Sequence, residues 1–318
     1  MRRRVVLAAI GAAIAVRPHA GAAQGTVRRV GGLVVDGGEG FRERLAGALR
    51  TYRYIEGQNL RLDVRSAEGN PGRLPALAAE LVRLRVELVV ARLTPAVSAV
   101  QQATRDIPIV MAGAGDPVGS GLVASLARPG GNVTGVAGAA AQLTGKMLEI
   151  VRDMMPSLRT VAVLANAADP FTAAFLGEIR RASMALAIET SVHMIGGADE
   201  LAPVFAGLVV ERPDAIVVQP SLPRRIAAEL ALAHRLPILS PIGAFAAEGG
   251  LLAYSSNQTE LYEQVALYVD KILKGSKPAD LPVSQSARFD LALNLRTARA
   301  IGMSISPAIL ARANELID

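Results

Sequence analysis

From Val27 to the C-terminus the chain alternates β-rich apolar runs with amphipathic helical ones, and this alternation is its strongest constraint on fold. Strands are expected at 27–35, 59–67, 86–91, 107–113 and 132–136, with helices at 39–52, 73–85 and 95–105 between them. A second series places strands at 160–166, 188–194, 215–220, 237–241 and 249–255, and helices at 143–155, 170–186, 199–211, 223–234 and 259–275. Strand and helix in turn build a parallel sheet covered on both faces. Two such series in 318 residues predict an α/β chain with two doubly wound lobes.

The N-terminus has a different character. Arg2, Arg3 and Arg4 precede the apolar run Val5–Val16, and small residues surround Ala23. This is the layout of a secretory signal peptide over 1–23, exported by the Sec route or by a twin-arginine route, and it places the mature chain in the periplasm. Setting aside the four arginines of that segment leaves 30 basic residues against 28 acidic, a net of +2 rather than +6. So small an excess gives no reason to expect a nucleic-acid partner. With no cysteine, disulfides, thiolate metal sites and cysteine nucleophiles are excluded. His193 and His234 have no partner at metal-ligand spacing and read as structural, so neither a metal nor a cofactor is expected.

Ligands of open α/β sheets bind beyond the carboxyl ends of the strands, so the loops there carry the candidate chemistry. In "ARLTPAVSAV", Thr94 precedes Pro95 as an expected N-cap. Its hydroxyl and the helix N-terminus suit a ligand carboxylate, or cap the helix and nothing more. Arg92 is a possible partner for the same anion. In "GAGDPVGSG", Gly115 lets the backbone approach a ligand or the facing lobe, while Asp116 either caps a turn or receives a ligand ammonium. A phosphate loop is excluded because no lysine occurs before Lys146, and the Gly113-x-Gly115-x-x-x-Gly119 spacing is not a dinucleotide fingerprint. No Gly-x-Ser-x-Gly elbow is present, so no catalytic residue is assigned. Acids at 36, 39, 116, 169 and 248 keep a carboxylate-dependent enzyme open as an alternative.

"IPIVMAGAGDPVGSGLVASLARPGGNVTGV", "TPAVSAVQQAT", "HRLPIL" and "EGGLLAYSSNQTELYEQVALYVDKILKGSKPADLPVSQSARFDLALNLRTARAIG" together resemble the ABC-type substrate-binding proteins, and within them the tryptophan/tyrosine transport binding proteins. The resemblance implies a type I periplasmic binding fold whose two lobes, joined by three crossovers, close on a small molecule. That molecule would be an amino acid, notably an aromatic one, or a related small carboxylate, handed to the membrane permease subunits of an ABC importer by a monomeric receptor. A ligand-sensing role for a separate signalling partner is the alternative. The implied crossovers lie near 135–138, 248–252 and 281–286, with Gly135, Gly138 and Gly250 as hinge positions. They divide the mature chain into 24–136 plus 252–281 and 137–251 plus 282–318. The implied ligand positions are Thr94, Pro95, Ala96, Asp116, Asn166, Ser221, and Gly243 and Phe245 within 241–245. This chain departs from the family pattern in carrying Arg92-Leu93 where Ser-Gly is usual. It also has 3% aromatic residues and no Trp, a poor supply for stacking on an aromatic ligand.

Overall fold

The computed structural model describes residues 27–318, and the expected signal peptide over 1–23 lies outside them. The first half runs β1 (Arg28–Val34), α1 (Gly38–Arg50), β2 (Leu60–Ser66), α2 (Leu74–Arg83), β3 (Leu88–Arg92), α3 (Leu93–Ala103), β4 (Ile109–Gly115) and β5 (Val133–Gly138). The chain continues with α4 (Ala140–Met154), β6 (Thr160–Asn166), α5 (Thr172–Leu186), β7 (Glu189–Ile195), α6 (Leu201–Glu211), β8 (Ala215–Val218), α7 (Arg224–Ala233) and β9 (Ile238–Ser240). It ends with β10 (Leu252–Ser256), α8 (Gln258–Leu273), β11 (Ser284–Gln285), β12 (Phe289–Asn294), α9 (Leu295–Ile301), α10 (Pro307–Leu310) and β13 (Glu315–Ile317). None of the described helices is long and apolar enough to cross a membrane.

Two sheets result, ordered β11-β5-β4-β3-β1-β2 and β13-β12-β10-β9-β8-β6-β7. All pairings are parallel except β10 with β12. The inner strands β1, β3, β6 and β8 are buried on both faces along most of their length, which is why they read as apolar runs, whereas the edge strand β7 is largely exposed. Each helix presents one apolar stripe to its sheet. In α1 the stripe is Phe41, Leu45 and Leu49, and in α8 it includes Leu261, Val265 and Val269. The α/β expectation with two wound sheets therefore holds.

The crossings between sheets are shifted from their expected places. β10 hydrogen-bonds to β9 and β12, so residues 252–256 belong to the second sheet rather than to the lobe of 24–136. The chain returns only at Asn257, whose side chain accepts from the Glu260 N–H (2.9 Å) and starts α8 over the first sheet. β11 pairs with β5, so 284–285 stay with the first sheet and the last crossing follows Gln285. Ala137 and Gly138 likewise still pair with β4.

The three expected hinge glycines fare differently. Gly138 lies at the first crossing. Gly135 sits inside β5 at φ 125°, where a Cβ would meet the Met111 carbonyl at 2.5 Å beside a register shift in β4. Gly250 precedes β10 and lies under the Phe245 ring, away from the corrected second crossing.

Candidate functional site

The carboxyl ends of both sheets face one another across a cleft, where β3 and β4 of one lobe oppose β6 and β8 of the other. A cavity of ≈ 390 Å³, counted to its open mouth, lies between them and is walled by Arg92, Leu93, Gly138, Pro220, Ile242 and Gln258 among others. A smaller recess of ≈ 220 Å³ shares Leu93, Gly113, Ala140 and Pro220 with it and reaches Thr94, Gly115, Asp169, Phe171 and Ser221. The two recesses adjoin, and Leu93 and Pro220, which line both, form the waist where they meet.

The recess has a polar floor. Asp169 is 7% exposed, and its Oδ2 accepts from Ser221 Oγ (2.5 Å) and Gln219 Nε2 (2.8 Å), while its Oδ1 accepts from the Phe171 N–H (2.9 Å). Asn166, at the end of β6, donates to Ser221 Oγ (3.1 Å), and Thr172 Oγ1 donates to Gln219 Oε1 (3.0 Å). Burial pushes the Asp169 carboxyl above its ordinary range, against the pull of Ser221, Phe171 and Gln219. A carboxylate offers about four acceptor positions, and three are taken, so one remains for a donor in the recess.

Thr94 departs from its expected role. The helix begins at Leu93, which holds a left-handed φ of 65°, and Thr94 falls within the first turn. Its hydroxyl, 2% exposed, donates to the Gly115 carbonyl (3.1 Å) and accepts from the Gly115 N–H (3.0 Å). That hydroxyl ties β4 to α3 and is spent there rather than on a ligand carboxylate. Asp116 is exposed, with Oδ1 accepting from the Gly119 N–H (2.9 Å). It caps its own turn and lines another cavity between the lobes with Glu178 and Arg181, apart from the recess that holds Asp169.

The other expected positions divide. Arg92, Gly115 and Ser221 are on the cleft wall, and Asn166 stands just behind Ser221. Ala96 is fully buried in the core of the first lobe and Phe245 in that of the second, because the apolar stripes of their helical turns point inward. Pro95 is buried too, and Gly243 stands behind Ser255 and Gln258, which line the central cavity.

Residues that sequence reasoning did not single out complete the wall. Arg92 Nη1 donates to Tyr262 Oη (3.2 Å) and Nη2 to Gln258 Oε1 (3.2 Å), with the guanidinium carbon 5.9 Å from the Tyr262 ring centre. Gln258 and Tyr262 are one turn apart on α8, and only the late return of the chain to the first sheet brings them here. Beyond Arg92 the cleft opens into a flank holding Asp36, Arg44, Arg224, Arg225 and Glu248. Within it, Arg224 grips Glu248 through two hydrogen bonds (3.0 and 2.9 Å).

Residues 36–317 match the family model described as ABC transporter substrate binding protein. A tyrosine-binding protein of Clostridioides difficile is 25% identical over 261 residues, spanning 80% of this chain and 74% of that one. Among solved structures, a conserved domain protein of Vibrio cholerae aligns over 92% of this chain and 100% of its own at 24% identity, with a TM-score of 0.83. A Streptococcus pneumoniae ABC domain in complex with L-Trp aligns over the same shares at 24% identity, with a TM-score of 0.81. The architecture is that of the type I periplasmic binding proteins.

Proposed function

From the premise that this chain belongs to the ABC transporter substrate binding protein family, we propose that it is an exported, periplasmic receptor that captures one small molecule between its lobes and delivers it to a membrane permease. The ligand class is an amino acid or a related small carboxylate. The observation that carries this reading is the pair of adjoining recesses between two independently wound lobes, polar at the Asp169–Ser221 end, cationic at Arg92 and apolar at Leu93 and Pro220. The tyrosine-binding relative and the L-Trp complex support the same ligand class.

Binding without chemistry suffices for this role. Ligand contacts made by both lobes at once exist only in the closed form, so the ligand shifts a pre-existing open–closed equilibrium toward closure. Asp169 keeps one acceptor position for a ligand N–H or O–H. The receptor acts as a monomer. A thermal-shift screen of amino acids and small carboxylic acids tests the reading, because a ligand at a hundred times its Kd adds about 2.7 kcal/mol. A stabilising compound that also compacts the chain in small-angle scattering is the expected result. Turnover of a compound without such compaction would contradict it.

A further inference from the structure

Arg92 is half-buried at the junction of the central cavity and the charged flank, lining both. Its two hydrogen bonds go to neutral acceptors, Tyr262 Oη and Gln258 Oε1. No Asp or Glu among the described residues comes within 4.0 Å of its guanidinium. A guanidinium withdrawn from water without a counter-charge is costly, and its planar fork matches a carboxylate bidentately. Around it the flank is cationic. Arg224 and Glu248 cancel one another, leaving Arg44 and Arg225 against the single acid Asp36. At the far end of the cleft Asp169 is already held by three protein donors. The cleft thus has an excess of positive charge and little capacity to neutralise a ligand cation, and walls of one sign raise the local concentration of the opposite ion.

We infer that Arg92 is the specificity-determining residue of the cleft and that it selects a small organic acid carrying net negative charge, its carboxylate seated on the Arg92 fork against Gln258 and Tyr262. This rests on the receptor reading above and narrows its ligand class. Net-neutral amino acids with bulky rings are the disfavoured class.

The test is calorimetric titration of the mature chain with succinate, phenylacetate and L-glutamate on one arm and L-tyrosine and L-tryptophan on the other. The same titrations are repeated on Arg92→Gln and Arg92→Lys, with thermal unfolding to establish that both variants fold. The expected result is that an acid of the first arm binds most tightly and that R92Q weakens it at least tenfold. R92K should retain part of the affinity, and binding of that acid should weaken as salt is raised. If L-tyrosine or L-tryptophan binds most tightly, or if R92Q leaves acid binding unchanged, the inference is overturned while the receptor reading stands. If no compound of either arm binds, both fall together.

Discussion

The backbone of Gly115 and the ring of Phe171 meet across the cleft so closely that a Cβ on Gly115 would lie 2.5 Å from ring carbons Cδ2 and Cε2. Gly115 ends β4 in one lobe and Phe171 precedes α5 in the other, so this contact is made only when the lobes are together. A methyl group there obstructs closure. Gly115→Ala is expected to cost the closed form ~1–3 kcal/mol, the usual range for overpacking. It should weaken ligand binding at least tenfold and leave the scattering radius of the chain unchanged on adding ligand. A variant that still compacts with wild-type affinity would show that the contact does not gate closure.

Thr94 illustrates how a correct residue can carry an incorrect role. Thr before Pro before an apolar-periodic run is a helix-start signal, and the helix does start there. What the pattern lacks is the position of Gly115 at the far end of β4, 21 residues on, which comes beside Thr94 only in three dimensions and takes both hydrogen bonds of the hydroxyl. Thr94→Val should therefore lower stability by about 1–3 kcal/mol, because it strands the buried Gly115 N–H. Denaturant unfolding of the ligand-free chain reads this out. A loss of affinity with unchanged stability would restore the ligand role.

The strands and helices were legible because parallel strands buried on both faces give unbroken apolar runs and the helices between them keep one stripe. Sheet membership was not legible in the same way. "LLAYSS" reads as a strand in either lobe, and only its pairing with β9 and β12 assigns it to the second. The same ambiguity hid Gln258 and Tyr262, whose helix follows that crossing. Asp116 and Asp169 both sit in loops beside a proline, and nothing in those loops distinguishes the acid that caps an exposed turn from the acid that is buried under the cleft.

Asp169 makes the cleft sensitive to pH in a defined direction. Burial raises its carboxyl above the ordinary range, so the folded chain binds this proton more tightly than the unfolded chain does. Its favourable contribution is complete below the unfolded-state value, near pH 4, and is lost as pH rises through the higher folded-state value. The stability of the wild type relative to Asp169→Asn should accordingly fall from about pH 4 upward before levelling off. Urea unfolding at a series of pH values checks this, and a difference that is flat with pH would rule it out.

Arg224 and Glu248 form a second buried commitment. Arg224 is 4% exposed, donates also to the Pro220 carbonyl, and fixes the loop that carries Pro220 and Ser221. Glu248→Ala leaves the guanidinium without its partner and should cost about 3–5 kcal/mol. Thermal or denaturant unfolding will show the loss, and a change under 1 kcal/mol would mean that water replaces the carboxylate.

Leu93 sets the size of what can enter. It holds a left-handed backbone, which disfavours a side chain by roughly 1–2 kcal/mol, and it stands in contact with the cores of both lobes at the waist of the cleft. Leu93→Gly removes the side chain from the waist and the strain from the backbone, so the two effects on stability partly offset each other. The variant should gain at least tenfold in affinity for L-tryptophan while Arg92 and its neighbours are untouched. Titration of wild type and variant side by side decides the point: equal affinities would mean that ring size is limited elsewhere in the cleft, and a gain would make Leu93 the residue that narrows the ligand range.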